Sequence, residues 1–220
     1  MTEFILRVSS RFGLFTRPEL KVERYSYDVI TPSAARGILE AIYWKPQIRW
    51  VIDEIHVLSP IRFQSVRRNE VKRKASTTLA KRAMASGSTK GAGIDIDRDR
   101  TQRASSVLVA PDYLIKAHFD LTGVNSQPGD TATKHAEIFT RRALRGQCFH
   151  MPCMGTREFP ADFALIPPGS PLPAPIEDTR DLGIMLWDVD YTEKSPMFFR
   201  AKMDQGIVAV PALASGEVLM

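Results

Sequence analysis

Phe4-Ile5-Leu6-Arg7-Val8-Ser9-Ser10 alternates apolar and polar positions closely enough to predict a half-buried strand. Thr31-Pro32 then opens a helix. Threonine is a good N-cap, because its oxygen accepts from a free backbone N–H, and proline at the first helical position loses no needed donor. Ala35, Ile38, Leu39 and Ile42 recur at helical spacing as one apolar face, and Pro46 stops the run. Residues 48–64 are β-rich, with Trp50, Ile52, Ile55, Val57, Ile61 and Phe63; Ser59-Pro60 breaks them into one bent strand or two. Residues 107–121 return to strand character. There Tyr113, Ile115, Ala117, Phe119 and Leu121 share one face, and Lys116, His118 and Asp120 the other. Pro128-Gly129-Asp130-Thr131 marks a turn into a second helix, running to about Arg145 and ended by Gly146, and residues 163–166 form the next strand.

The order strand, helix, strand, strand, helix, strand is the βαββαβ pattern of a ferredoxin-like, RRM-type sandwich, hence an α+β fold class. Residues 167–175 hold five prolines in nine positions, which suits a linker. Beyond it, residues 183–191, 197–203 and 206–210 read as short strands of a small β-rich C-terminal domain. The expected division is therefore 1–166 and 167–220. Residues 65–103 are rich in Ser, Thr, Gly and Lys and show little periodicity. They are expected to leave the core as an insertion, with residues 75–86 capable of helix and residues 86–93 glycine-rich enough to be mobile.

Composition adds little until charge is mapped. The 44% hydrophobic and 25% charged content is ordinary for a globular chain. No stretch reaches the ~18 consecutive apolar residues of a membrane span. The chain opens on a strand pattern with no basic-then-apolar leader, and Cys148 and Cys153 are its two cysteines. A cytoplasmic protein with no disulfide framework and no membrane partner is expected. The net charge is +5. Residues 62–103 carry twelve Lys or Arg against four Asp or Glu, while the rest holds 18 basic and 21 acidic residues. All the positive excess sits in one segment, as a polyanion binder or a solvated loop would have it.

Few residues stand out chemically. His56, between Ile55 and Val57, reads as structural or surface. Cys148, His150 and Cys153 offer three soft ligands without the fourth that zinc needs, so no metal or cofactor is expected. The segment between Gly146 and Gly155 reads instead as a loop whose backbone N–H groups suit a phosphate. Lys134-His135 falls in the first turn of the second helix, where free N–H groups favour an anion, and Thr131 and Thr133 add hydroxyls. A polar first turn with a solvent-exposed imidazole fits the same residues. Tyr43 lies at the edge of the first helix's apolar face, placed to meet a ribose, a phosphate or a base, or simply to pack. Lys116 and His118, on one strand face, form a second candidate pair and expected RNA contacts. Paired carboxylates, a Ser-His-Asp grouping and a P-loop are not evident, since Gly91-Ala92-Gly93 lacks the following Lys-Ser/Thr.

Four stretches together resemble the CRISPR-associated endoribonuclease family of subtype I-C, within the RAMP superfamily. They are Leu14-Phe15-Thr16-Arg17-Pro18-Glu19, the segment from Ser26-Tyr27-Asp28 through Ala35-Arg36-Gly37-Ile38, Ala41-Ile42-Tyr43-Trp44-Lys45-Pro46 and Lys116-Ala117-His118-Phe119. The resemblance covers most of residues 4–166 in order. It implies a ferredoxin-like N-terminal domain and a small β-rich C-terminal one. It also implies metal-independent cutting of precursor CRISPR RNA at the base of the repeat hairpin. Retention on the 5′ handle, among the other subunits of a type I interference complex, would follow. Family catalysis uses a tyrosine and an adjacent Lys-His pair, which Tyr43 and Lys134-His135 match; Lys116 and His118 are the substitutes if that alignment slips. Arg67, Arg68, Lys72, Arg73, Lys74, Arg141, Arg142 and Arg145 are expected to grip hairpin phosphates. A non-catalytic subunit that only caps the handle is the competing expectation, and duplex DNA is a compatible further partner.

Phosphate contacts release counterions, so affinity for repeat RNA should fall steeply and linearly on a log–log salt plot. Filter binding across a salt series measures the slope; an affinity indifferent to salt would remove these basic residues from the interface.

Overall fold

The computed structural model describes residues 2–20, 22–126 and 129–219; Pro128, in the turn expected before the second helix, lies outside them. In chain order the elements are β1 (Phe4–Ser9), β2 (Phe12–Gly13), β3 (Arg24–Tyr25), α1 (Pro32–Ile42), β4 (Ile48–Val57) and β5 (Phe63–Val71). Then come α2 (Thr77–Ser86), α3 (Ile96–Asp99), β6 (Arg100–Val109), β7 (Asp112–Leu121), α4 (Ala132–Leu144) and β8 (Asp162–Ile166). The tail supplies β9 (Arg180–Asp190), β10 (Ser195–Asp204), β11 (Ile207–Ala209) and β12 (Val218–Leu219).

The chain is a mixed α+β protein with antiparallel sheets. The main sheet runs β8-β1-β7-β4-β11-β10-β12, with β9 on β10, and all its pairings are antiparallel. A second sheet is built on β6, flanked by β2, β3 and β5; its two-residue pairing with β3 is parallel. Both long helices begin as their sequences predict. Thr31 Oγ1 accepts from the Ala34 N–H ahead of Pro32, and Thr131 Oγ1 accepts from the Lys134 N–H. The buried stripe of α1 is Ala35, Ile38, Leu39 and Ile42; that of α4 is His135, Phe139 and Ala143 at four-residue spacing. α4 meets the sheet over an aromatic cluster. Phe4, Trp50, Phe119 and Phe139 contact one another with ring centroids 4.6–5.9 Å apart, mostly edge-on, as ring quadrupoles favour.

Two segments differ from their sequence expectation. Residues 107–121 are not one strand: Ala110, at φ 47°, turns the chain so that β6 joins the second sheet and β7 the main one. Residues 65–103 are more regular than their composition suggests. β5 pairs with β6 from Phe63↔Leu108 to Val71↔Arg100, forming a two-stranded arm that carries α2 and α3. No residue of β5 or α2 is buried, so neither needed an apolar stripe and the sequence carried no period to read.

The proline-rich stretch holds no regular element and is bonded to the sheet at its end. The Ile176 N–H donates to Val57 O at 2.9 Å, and the Val57 N–H to Gly206 O at 2.8 Å. β11 pairs directly with β4, Ile207 facing His56 and Val208 facing Ile55, so the tail strands continue the sheet of residues 1–166. Arg36 of α1 reinforces the junction by pairing with Asp188 of β9 at 2.7 Å and with Glu40. No helix among the described residues is long and apolar enough to cross a membrane.

Gly206 sits at φ 75° in the β10–β11 turn, and a Cβ there would overlap the carbonyl oxygen of Ile176. Gly206→Ala should therefore destabilise the protein by about 1–3 kcal/mol, a sum of steric overlap and left-handed backbone cost. Urea denaturation checks it; an unchanged midpoint would mean the tail is not docked on β4 through this turn.

Candidate active site at the facing ends of two helices

The last turn of α1 exposes carbonyls that its own backbone cannot satisfy, and neighbouring elements satisfy them. Ala41 O accepts from the Phe149 and His150 N–H groups at 2.8 and 3.1 Å. Ile42 O accepts from Arg142 Nη1 at 3.2 Å, and Tyr43 O from Trp50 Nε1 at 2.9 Å. These bonds fix the residue at which α1 stops, and that residue is Tyr43.

From there the phenol reaches α4. The Tyr43 hydroxyl lies 2.8 Å from His135 Nδ1, and each residue is only 2% exposed. The Arg142 guanidinium stands 5.3 Å from the centre of the Tyr43 ring, and Phe119 meets the imidazole edge-on at 6.3 Å. His135 Nε2 is buried and has no hydrogen-bond partner among the described residues. Lys134 is exposed, and its Nζ pairs with Asp130 at 2.6 Å, one helical turn back.

Burial pushes the His135 pKa down, and the Lys134 charge adds to the effect while Asp130 opposes it. The imidazole is therefore neutral near pH 7. Burial pushes the Tyr43 phenol up, against the nearby Arg142 and Lys134 charges, so the phenol keeps its proton. Its hydrogen bond to Asp130 raises the Lys134 pKa and keeps the ammonium charged. The result is a neutral imidazole with one nitrogen held by a phenol and the other unengaged, beside a permanent cation. Such a set can move a proton and offset charge on a phosphate.

Tyr43, Lys134 and His135 thus come together from elements about ninety residues apart. His135 belongs to the buried stripe of α4, so the solvent-exposed imidazole does not hold. Lys116 and His118 lie on the sheet face turned away from Phe119 and the helices, where each meets a carboxylate. Lys116 pairs with Glu54 at 2.9 Å, and His118 Nδ1 with Asp53 at 2.8 Å.

The other basic residues divide by environment. Arg67, Lys72 and Lys74 are exposed on the arm; Arg68 pairs with Glu158, and Arg73 with Asp99 at 2.7 Å. Arg141 and Arg145 line an open groove of about 540 Å³ along α4, with Thr133 and Thr140. Arg142 turns inward to Tyr43, away from those two arginines. That inward turn, the Asp130 carboxylate and the Trp50 anchor were not foreseen. Of the three, the Asp130–Lys134 spacing alone left a signal in the sequence. Cys148 and Cys153 are free thiols, and the described residues hold no group of three or more His, Cys, Asp or Glu placed to share a metal ion.

The family described as CRISPR-associated protein (Cas_Cas5), in its Cas5d form, matches residues 4–211. The CRISPR pre-crRNA endoribonuclease Cas5d of Mannheimia succiniciproducens is 52% identical over 218 residues, spanning 97% of this chain and 96% of that one. The protein of the same description from Thermus thermophilus is 36% identical over 233 residues, spanning 96% and 93%. A crystal structure of a CRISPR-associated protein has the same fold, with a TM-score of 0.71 at 24% identity over 97% of this chain and 94% of that one. So has a functionally uncharacterized protein from Streptococcus mutans, with a TM-score of 0.67 at 23% identity over 98% and 95%. The chain belongs to the Cas5d family of CRISPR-associated proteins.

Proposed function

We propose that this chain cuts precursor CRISPR RNA at the base of the repeat hairpin without a metal, and then stays on the 5′ handle within a type I interference complex. The observation that carries the proposal is the 2.8 Å contact between the Tyr43 hydroxyl and His135 Nδ1, with Lys134 next in sequence. The pre-crRNA endoribonuclease description of the 52% identical relative supports it. We also read the strand order β8-β1-β7-β4, with α1 and α4 on one face, as a ferredoxin-like unit. Residues 167–220 are then a second unit sharing its sheet.

In the proposed reaction the 2′-hydroxyl upstream of the cut attacks the adjacent phosphorus. With Nδ1–H donating to the Tyr43 oxygen, His135 Nε2 carries the lone pair and takes the 2′-hydroxyl proton. The bond from phosphorus to the 5′-oxygen breaks and that oxygen takes the proton from the His135 imidazolium, leaving a 2′,3′-cyclic phosphate and a 5′-hydroxyl. Tyr43 holds the imidazole ring in place, and Lys134 offsets charge on the non-bridging oxygens. Tyr43 and His135 are covered in this conformation, so an arriving phosphate must displace the first turn of α4 from the end of α1. Lys134, at the surface, would exchange its Asp130 carboxylate for that phosphate. Arg141 and Arg145 on α4, with Arg67, Lys72 and Lys74 on the arm, are free to follow the RNA backbone. The paired Arg68, Arg73, Lys116 and His118 would first have to leave their carboxylates.

The burial of Tyr43 and His135 favours one second reading, a non-catalytic subunit that only holds the 5′ handle. A cleavage gel separates the two. His135→Ala should slow single-turnover cutting of the cognate repeat at least about a hundredfold, the usual scale of lost acid–base catalysis, with RNA binding retained. A substrate with 2′-deoxyribose upstream of the cut should bind and remain intact, and EDTA should leave the wild-type rate unchanged. Cutting of the deoxy substrate would overturn the mechanism.

The pH profile tests the same assignment. With its pKa lowered, His135 remains a base below the ordinary histidine range, and activity is lost only as pH falls through that lowered value. Cleavage rates should therefore stay level from pH 8 to below about 6.5. A rate already halved above that value would exclude His135 as the base.

A further inference from the structure

Phe149 is 74% exposed, yet it does not stand on a loose loop. Gly146, at φ 64°, ends α4 and turns the chain back, and the Gln147 N–H bonds to Arg142 O at 2.9 Å. Two residues later the Phe149 N–H is tied to Ala41 O of α1, and the His150 N–H shares that acceptor. The Phe149 ring packs against His150 with centroids 4.4 Å apart and presents the remainder of its surface to solvent. A large aromatic side chain held out of the core by an anchored backbone contributes little to folding.

The ring borders a recess of about 520 Å³ whose other lining residues are Arg142, Gly146, Gln147 and Cys148. None of these carries a carboxylate, and Arg142 and Gln147 bring cationic and amide donors. Arg142 is shared with the candidate active site: the side chain lining the recess also lies over the Tyr43 ring. Arg142 thus joins the recess to the covered Tyr43–His135 pair through one side chain. Trp44, next in sequence to Tyr43, and Met151 are also largely exposed.

We infer that this recess is a nucleobase subsite: Phe149 stacks on a base flanking the scissile phosphate and fixes which phosphodiester reaches Tyr43 and His135. The inference rests on the proposed RNA cleavage. Single-stranded RNA is read through splayed bases that stack on exposed aromatic rings, with neighbouring cations on the backbone. A flat ring, amide and guanidinium donors and the absence of acidic lining suit a base with its phosphate better than an apolar peptide side chain.

The test is a cycle between protein and RNA, read as single-turnover cleavage rate and as affinity. Phe149→Ala and Phe149→Trp are compared with wild type on repeat RNA that is intact or abasic at each nucleotide around the cut. Phe149→Ala should weaken substrate binding or slow cutting by about five- to a hundredfold, the scale of one lost base–aromatic stack. Phe149→Trp should retain wild-type behaviour. Removing the base next to the cut should cost wild type the same factor and cost Phe149→Ala almost nothing more. Wild-type behaviour of Phe149→Ala, or additive losses at every abasic position, would overturn the subsite and give this ring to a protein partner. His135→Ala, run in parallel, keeps the two claims apart. If it cuts normally, the proposed active site fails, whereas Phe149–base coupling is still read from affinity. If it is inactive and Phe149→Ala is normal, the subsite alone fails.

Discussion

Trp50 stands where the sheet, both helices and the candidate site meet. Its ring packs against Phe4, Phe119 and Phe139, so it belongs equally to β4 and to the interface with α4. Its indole N–H is spent on the Tyr43 carbonyl, one of the acceptors that the end of α1 leaves open. The same side chain that fills the core thus decides where the helix stops and which way its final residue faces. Burying an indole N–H without an acceptor is costly, so the packing and the position of Tyr43 enforce each other. His135 arrives by the same logic from the other side: it continues the stripe of Phe139 and Ala143, and the packing of α4 carries it against Phe119 of β7.

That arrangement divides the electrostatics between two depths. The imidazole and phenol lie where water is excluded, and both are biased to their neutral forms. The ammonium of Lys134 remains outside, compensated by Asp130. Burying the cation as well would have cost several kcal/mol in desolvation. Keeping it one residue away, on the wet side of the helix, keeps a charge near the pair without that cost.

Much of this was legible in the sequence where burial imposes a period. The alternation in β1, the Thr-Pro start of α1, its 35–38–39–42 stripe and the strand character of β4 and β7 were readable, because each buries one face. The arm reads as irregular for the opposite reason: β5 pairs with β6 through its backbone and buries no side chain, and backbone pairing leaves no mark in side-chain polarity. The positive φ of Ala110 has no compositional signature, and Pro111 next to it is the one mark the break leaves in the sequence. At the site, Tyr43, Lys134 and His135 were nameable through family resemblance, whereas the inward turn of Arg142 was not. Three arginines within five residues look alike in sequence, and only the position of Tyr43 across the helix interface separates one from the others.

The arm has a consequence for how this protein changes over time. Residues 72–98 contain no buried side chain, so almost any substitution there leaves the core's free energy untouched. Seven of the twelve Lys and Arg of residues 62–103 thus stand on the part of the chain least tied to folding. Mutational drift can retune its grip on a polyanion without spending the stability margin on which the sheet and helices rely.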